Sequence, residues 1–416
     1  MQMNRPSALT ADLSLMRELN RALVLQLIRR EGRISRADIA KHTKLSRSTV
    51  SSIINDLIDA SLVTETGIGT SKGGRRPIIL EFNYQANYII GLDVSRNAVS
   101  AVITDLNARI CSRRQISFNV NDGPTVGMPL IKQLISTMLT ESPVGRGRIS
   151  AIGVGVPGPL DFRNGRTIAP PVMPGWDNVP IREELSQTFR LPVSIDNDAN
   201  LAAMAEYRWG AGQGAQNMVY LYMSSAGIGA GLIIDSHLFR GSIGSAGEVG
   251  HTTLSVENDE SFGPINAGSL EALASQITVL RLAREQKLIS ADDDVHTLVR
   301  KAESSPEIQA ILRRTAHYLG VAIASIINIF NPDRVVIGGV IPETSPLLIE
   351  TIRATVARRA LSIAVNNTSI VPGALGRNVA ALGAAALATE RLFAPPALER
   401  PATLGVHSNE VGSLAS

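Results

Sequence analysis

Between Ser46 and Asn55 the chain reads Ser-Arg-Ser-Thr-Val-Ser-Ser-Ile-Ile-Asn. Wound as a helix, this segment turns Val50, Ile53 and Ile54 inward and offers Arg47, Ser48, Ser51, Ser52 and Asn55 on its outer face. Short hydrogen-bonding side chains beside a bidentate guanidinium suit base edges and phosphates in a DNA major groove. Thr49, near the helix start, is placed to contact a phosphate. Some 20 residues later comes Lys72-Gly73-Gly74-Arg75-Arg76-Pro77. Its glycines let Arg75 and Arg76 approach closely, which fits a narrow minor groove or the phosphate backbone.

These groups need a scaffold, and the flanking sequence supplies one. Met16, Leu19, Leu23 and Leu27 are spaced as one face of a helix over 13–30. Ser35 is placed to cap a short helix carrying Ile39 and Ala40, Lys44 and Leu45 form a turn, and Ser46 caps the next helix, with Leu57 completing its inner side. Val63–Thr66 and Pro77–Phe82 read as strands flanking a tip with Gly67, Gly69, Gly73 and Gly74. Three helices and a glycine-tipped hairpin describe a winged helix-turn-helix over residues 1–82. The charge agrees. Residues 1–80 hold 13 Lys/Arg and 7 Asp/Glu, a balance of +6, leaving 27 and 30, or −3, for the remainder. A basic head on a mildly acidic body suits a domain that touches phosphates. A helical module that binds protein is the alternative.

From about residue 88 the texture becomes α/β. Tyr88–Val94, Val99–Leu106, Ile149–Val156, Met218–Met223, Ala230–Ile234 and Arg334–Ile337 read as strands between helices, among them an apolar helix over 308–329 and an alanine-rich one over 378–393. No repeat is evident. Residues 394–416 are rich in Pro, Ala, Gly and Ser and are expected to be a disordered tail. Hydrophobic residues make up 44% and charged residues 19% of the chain, a soluble globular composition. No run approaches the roughly 20 apolar residues of a membrane span, and the first 30 residues interrupt any signal-peptide core with Asp12, Arg17 and Glu18. One cysteine, Cys111, excludes an internal disulfide and a multi-cysteine metal site. Together these predict a cytoplasmic protein without membrane contact.

The body also carries polar residues suited to a ligand rich in hydroxyls. A sugar hydroxyl both donates and accepts, so recognition needs carboxylates and amides converging in a cleft. Asn197, Asp198, Glu248, His251 and Glu271 supply such a set. Each has a plainer alternative: Asn197 and Asp198 as caps of a helix over 199–207, His251 as a satisfied core histidine, Glu271 as a solvated helix residue.

The motifs around these residues resemble the ROK family (repressors, open reading frames and kinases) over residues 88–393. Gly153-Val-Gly-Val-Pro-Gly-Pro-Leu-Asp161, Pro174-Gly-Trp176, Asp196-Asn-Asp-Ala-Asn200, Gly247-Glu-Val-Gly-His251, Gly268-Ser-Leu-Glu271, Asn331-Pro-Asp333 and Ile337-Gly-Gly339 stand in the family's order. The resemblance implies a two-lobed, actin-like ATPase (sugar kinase) fold over 83–393. It implies that Gly158, Asn197, Asp198, Glu248, His251 and Glu271 contact a sugar or sugar phosphate, with Asp198 where the kinases hold their general base. A winged helix fused to this body is the arrangement of the family's sugar repressors, which implies a duplex DNA operator at carbohydrate-metabolism genes. One recognition helix reads too few base pairs for specificity, so a homodimer or homotetramer on two-fold symmetric half-sites is expected.

Three departures from the family's pattern bear on chemistry. The cysteine positions of its zinc motif are occupied by Phe262, Pro264 and Ser269, so no metal is expected and His251 cannot hold one alone. Its first phosphate loop has glycines where this chain has Asp93-Val-Ser95-Arg96-Asn97. Its second begins with threonine where this chain has Ala226-Gly-Ile-Gly229. The expectation is a regulator with no catalytic residues and no cofactor, and Asp198 serving as a sugar ligand. The alternatives are an active ATP-dependent sugar kinase with a DNA-binding head, and a DNA-binding protein that answers to a protein partner or to no ligand.

Overall fold

The computed structural model describes residues 8–68, 77–256 and 266–395. The described parts of Met1–Tyr84 and Phe393–Ser416 form one compact unit, and Gln85–Leu392 forms the other. The tail from 396 lies outside the described residues.

The first unit runs α1 (Ala8–Glu31), β1 (Arg33–Ser35), α2 (Arg36–Thr43), α3 (Arg47–Asp59), β2 (Val63–Ile68) and β3 (Ile78–Phe82). Ser35 accepts the Asp38 N–H at 3.2 Å to start α2. Lys44, in the left-handed region at φ 59°, ends it. Ser46 accepts the Thr49 N–H at 3.1 Å to start α3, whose Val50, Ile53, Ile54 and Leu57 are all buried. The strands pair antiparallel in the order β1-β3-β2. Burial on α1 departs from the sequence reading. Val24, Leu25, Leu27 and Ile28 are buried, while Met16 and Leu23 are 58% and 46% exposed. Two apolar stripes run along this helix, and the one through Val24 and Ile28 is buried in a unit where α2, α3, β1 and β3 all pack on α1. The Arg29 guanidinium lies 5.4 Å from the Phe82 ring centre and 5.6 Å from that of Phe393.

The second unit holds two five-stranded sheets with one topology used twice. The first contains β4 (Tyr88–Val94), β5 (Ala98–Asp105), β6 (Ile110–Ser117), β7 (Ile149–Val156) and, after the short ribbon β8 (Leu160–Asp161) and β9 (Arg166–Thr167), β10 (Val193–Asn197). The second contains β11 (Met218–Met223), β12 (Ile228–Ile234), β13 (His237–Phe239), β14 (Arg334–Gly338) and β15 (Ser369–Pro372). Spatial orders are β10-β7-β4-β5-β6 and β13-β12-β11-β14-β15. In each sheet three antiparallel strands are followed by two parallel ones. The helices are α4 (Pro124–Thr140), α5 (Ile181–Phe189), α6 (Asp198–Trp209), α7 (Leu270–Ala274), α8 (Gln276–Glu285), α9 (Val295–Ala302), α10 (Pro306–Phe330), α11 (Val340–Thr344), α12 (Pro346–Arg359), α13 (Ser362–Asn367) and α14 (Val379–Leu392).

Small residues bring the two sheets together. Alanine-rich α14 packs on α6 so closely that a Cβ on Gly383 would collide with the Leu201 carbonyl. Gly91 of β4 and Gly153 of β7 meet the backbone of α14 at Ala381 and Ala384, and Gly231 of β12 meets α6 at Ala199 and Ala203. The two helices thus form a thin layer between the sheets, and the N-terminus of α6, at Asp198, opens on their seam. Helix α10 qualifies the expectation about membrane spans. Among the described residues it is one helix long and apolar enough to cross a membrane, yet 61% of that stretch is buried in the protein. It is the central helix of the second lobe, where Ile308, Ile311, Leu312, Leu319, Ile323 and Ile327 join one core.

Candidate functional site

On α3, Arg47, Ser48, Ser52 and Asn55 are exposed, and Thr49 and Ser51 are half-buried. Some of this polarity is used within the helix. Ser46 Oγ lies 2.9 Å from Ser48 Oγ and 2.8 Å from Thr49 Oγ1, so both hydroxyls help to build the cap. Arg36 at the start of α2 was not singled out in the sequence. It donates to Asn55 Oδ1 at 3.1 Å and to Glu65 Oε1 of β2 at 3.0 Å, bracing α3 against the hairpin. Arg75 and Arg76, with Gly69, Gly73 and Gly74, lie outside the described residues, and Gly67 belongs to β2.

In the second unit the structure brings the remaining candidates into one cleft. Gly158, Asn197, Asp198, Glu248, His251 and Glu271 line a single cavity of about 440 Å³, part of it open to solvent, together with Pro171, Val172, Tyr222, Ser224 and the Ala226–Gly229 turn. They come from both sheets. Gly158 follows β7 and Asn197 ends β10, whereas Glu248 and His251 follow β13 and Glu271 lies in α7. Trp176 is fully buried instead, donating its indole N–H to the Val120 carbonyl at 3.0 Å, so that motif residue belongs to the first lobe's core.

Asn197 Oδ1 accepts the N–H groups of Ala199 at 2.9 Å and Asn200 at 3.2 Å, capping α6. Its Nδ2 points at Gly158, where a Cβ would sit 2.7 Å from it and 3.1 Å from Glu248 Oε1. Only glycine leaves the amide free to face the cleft. Glu271 accepts the Ile228 N–H at 3.0 Å and so fixes the Ala226–Gly229 turn. His251 Nε2 lies 3.9 Å from Glu248 Oε2.

The cleft is rich in carboxylates with little water around them. Asp198 and Glu271 are 7% and 5% exposed, and Asp93, at the end of β4, is 8% exposed. Burial pushes Asp93 up to about 7. Burial, then the nearby Asp93 and Glu248 charges, holds Asp198 well above the usual carboxylate range. Glu248 is raised by burial and by Glu271, with His251 opposing. Glu271 is raised by burial, against the Ile228 N–H, His251 and Arg96. A carboxyl group that keeps its proton near neutrality donates as well as accepts, which matches the double character of a hydroxyl. In the sequence Asp93 stands out only as the start of the first phosphate loop and Tyr222 not at all, because their nearness to Asp198 depends on how the two sheets meet.

A ROK family model matches residues 89–391, and a model described as winged helix-turn-helix DNA-binding matches residues 19–64. The chain is 33% identical over 385 residues to the xylose repressor of Bacillus spizizenii, covering 92% of this chain and 98% of that one. Among solved structures it is similar to a ROK family transcriptional regulator, a homologue of the Escherichia coli MLC protein, with TM-score 0.78, 25% identity and coverage of 91% and 97%. A ROK family glucokinase from Streptomyces griseus, solved with glucose and AMPPNP, shares the fold with TM-score 0.65 and 24% identity, covering 73% of this chain and all of that one.

Proposed function

This chain belongs to the ROK family, and we propose that it is one of the family's sugar-responsive, DNA-binding transcriptional repressors, reading an operator with α3 and binding its effector in the cleft between the two sheets. One observation carries this reading. A DNA-binding winged helix-turn-helix and a ROK body stand in one chain, in an arrangement shared end to end with a xylose repressor.

Arg47, Ser48, Thr49, Ser51, Ser52 and Asn55 face the major groove, and Arg75 and Arg76 the phosphates or minor groove. Gly158, Asn197, Asp198, Glu248, His251 and Glu271 hold the sugar. Two recognition helices are needed to read enough base pairs, so the working form is a homodimer or homotetramer on a two-fold symmetric operator. It works where that operator is, in the cytoplasm. The sugar changes operator affinity only through its differential affinity for the two states of the protein.

The chain acts without catalysis and without a resident metal. Support comes from the phosphate loops. The Ser95 N–H and hydroxyl both donate to the Ala98 carbonyl at 2.9 Å, which closes the loop on itself in place of a backbone cradle. Ala226 offers no hydroxyl at the second loop. The zinc positions Phe262 and Pro264 lie outside the described residues, and Ser269 is buried as the cap of α7, accepting the Ala272 N–H at 3.3 Å. The kinase reading retains one point in its favour, the buried Asp198 at the position of a general base. A thermal-shift panel beginning with D-xylose and D-glucose, followed by operator binding with and without the active sugar, tests the regulator. ADP release in the same samples tests the kinase. No sugar response, or turnover at rates typical of kinases, overturns the reading.

A further inference from the structure

The two halves of the cleft belong to different sheets, and one side chain reaches from one sheet to the other. Arg240, just after β13 at the edge of the second sheet, donates from Nε to Asp196 Oδ2 at 2.7 Å. Asp196 is on β10, at the edge of the first sheet, and is 2% exposed. Its other oxygen accepts the Asn197 N–H at 2.8 Å and the Asn200 amide at 3.1 Å, so the same carboxylate shapes the corner that presents Asn197 and Asp198. The Arg240 guanidinium also lies 5.2 Å from the centre of the Phe162 ring, which follows β8 on the first lobe.

Arg240 opens the loop that ends at Glu248. The Ala246 N–H donates to the Arg240 carbonyl at 3.2 Å, and at the far end the Ala230 N–H of β12 donates to the Gly247 carbonyl at 2.7 Å. Gly244, at φ 93°, lets this loop lie on the first lobe, since a Cβ there would be 2.9 Å from the Leu160 carbonyl. The loop is thus pinned at one end to its own sheet and at the other, through Arg240, to the opposite one.

We propose that Arg240 is a positioning residue for the sugar site: its ion pair with Asp196 and its stacking on Phe162 hold the Glu248 loop against the Asn197–Asp198 corner, so that the ligands of both lobes face one sugar. This rests on the sugar-binding reading above. An arginine can make both contacts at once because its guanidinium is planar and directional, while a lysine supplies the charge without the stacking face. A buried carboxylate left without its cation also disturbs the corner it shapes.

The test uses the full-length protein and D-xylose, with D-glucose as the second probe. Wild type, Arg240→Gln and Arg240→Lys are titrated by calorimetry, with hydrogen exchange followed over residues 196–200 and 240–250. Arg240→Gln should weaken sugar binding about tenfold or more, as expected when binding groups are misplaced by an ångström or so. Arg240→Lys should recover most of the loss. Exchange should rise in both segments, and operator affinity without sugar should be unchanged. Phe162→Leu keeps the ion pair and removes the ring; its loss should be about threefold, and it serves if Arg240→Gln does not fold. Sugar affinity unchanged in Arg240→Gln, or in Phe162→Leu where that variant serves, would assign Arg240 to stability alone and overturn the proposal. A wild type that responds to no sugar of the thermal-shift panel overturns the sugar reading itself, and this proposal with it.

Discussion

The outer face of α3 and the cleft between the sheets are both polar, but they hold their polarity under opposite conditions. Arg47, Ser48, Ser52 and Asn55 stand in water, and the helix that carries them is held chiefly by its apolar inner face, with Ser48 and Asn55 adding only exposed hydrogen bonds. Asp93, Asp198 and Glu271 are more than nine-tenths buried. Exposed polar groups stay hydrated until a partner displaces the water, so they can change with little effect on folding. Buried carboxylates disfavour the folded state unless they are paired, hydrogen-bonded or protonated. Function on the head is therefore separable from stability, and function in the cleft opposes it.

Asp93 gives the largest expected effect. Its carboxyl is raised from 3.8 to about 7 by burial, and its Oδ1 has no hydrogen-bond partner among the described residues. The native state keeps a proton that the unfolded chain releases, so stability falls as pH rises through this window and levels off above about 7. The difference amounts to roughly 4 kcal/mol at 1.36 kcal/mol per pKa unit. Asp93→Asn removes the titration. Its melting temperature relative to wild type should climb between pH 4 and 7 and stay constant above. A pH-independent difference would mean that the cleft does not oppose folding.

Asp198→Ala comes next. A sugar hydroxyl left unpaired in a desolvated site costs roughly 1–3 kcal/mol, so effector binding should weaken about tenfold or more while operator binding without sugar is kept. Asn197 is the cap of α6 and Asp198 Oδ1 adds one bond, from the Ala199 N–H at 2.8 Å, so the loss of helix stability should stay within about 1 kcal/mol. Equal sugar affinity by calorimetry in variant and wild type removes Asp198 from the site. In the head, Ser46→Ala deletes the cap of α3 and should cost about 1 kcal/mol, read as faster hydrogen exchange confined to that helix.

How much of this was legible in the sequence follows the same division. Strands β4, β7 and β11 begin and end where continuous apolar runs predict, because strands buried on both faces announce themselves. The edge strand β6, Ile-Cys-Ser-Arg-Arg-Gln-Ile-Ser, and the short β1, β13 and β15 were not anticipated. Their pairing comes from a neighbour's backbone and leaves no side-chain period. The doubled strand order was invisible for the same reason, since topology repeats here without residues repeating. Serine caps at Ser35 and Ser46 were legible because capping is local chemistry. The six cleft residues could be picked out through motif resemblance. The Arg240–Asp196 pair, 44 residues apart, could not, because it exists only where two sheets meet.

The smallest effect on folding is expected at the wing, and it sharpens the comparison most. Replacing both Arg75 and Arg76 by alanine should move the melting temperature by no more than an ordinary surface change, within about 0.5 kcal/mol. Each arginine that neutralises a phosphate releases condensed counterions, and log K falls with log [salt] by about 0.9 per contact. If both arginines contact phosphates, the double variant should flatten the measured slope by about 2, and the loss of affinity should shrink as salt rises. If the cleft holds the sugar, sugar affinity should be untouched, because the cleft is made of other residues. An unchanged slope takes the wing out of the DNA contact and leaves α3 to read the operator alone. A changed slope accompanied by a large drop in melting temperature would show that the wing supports the fold, and that function on the head is not separable from stability there.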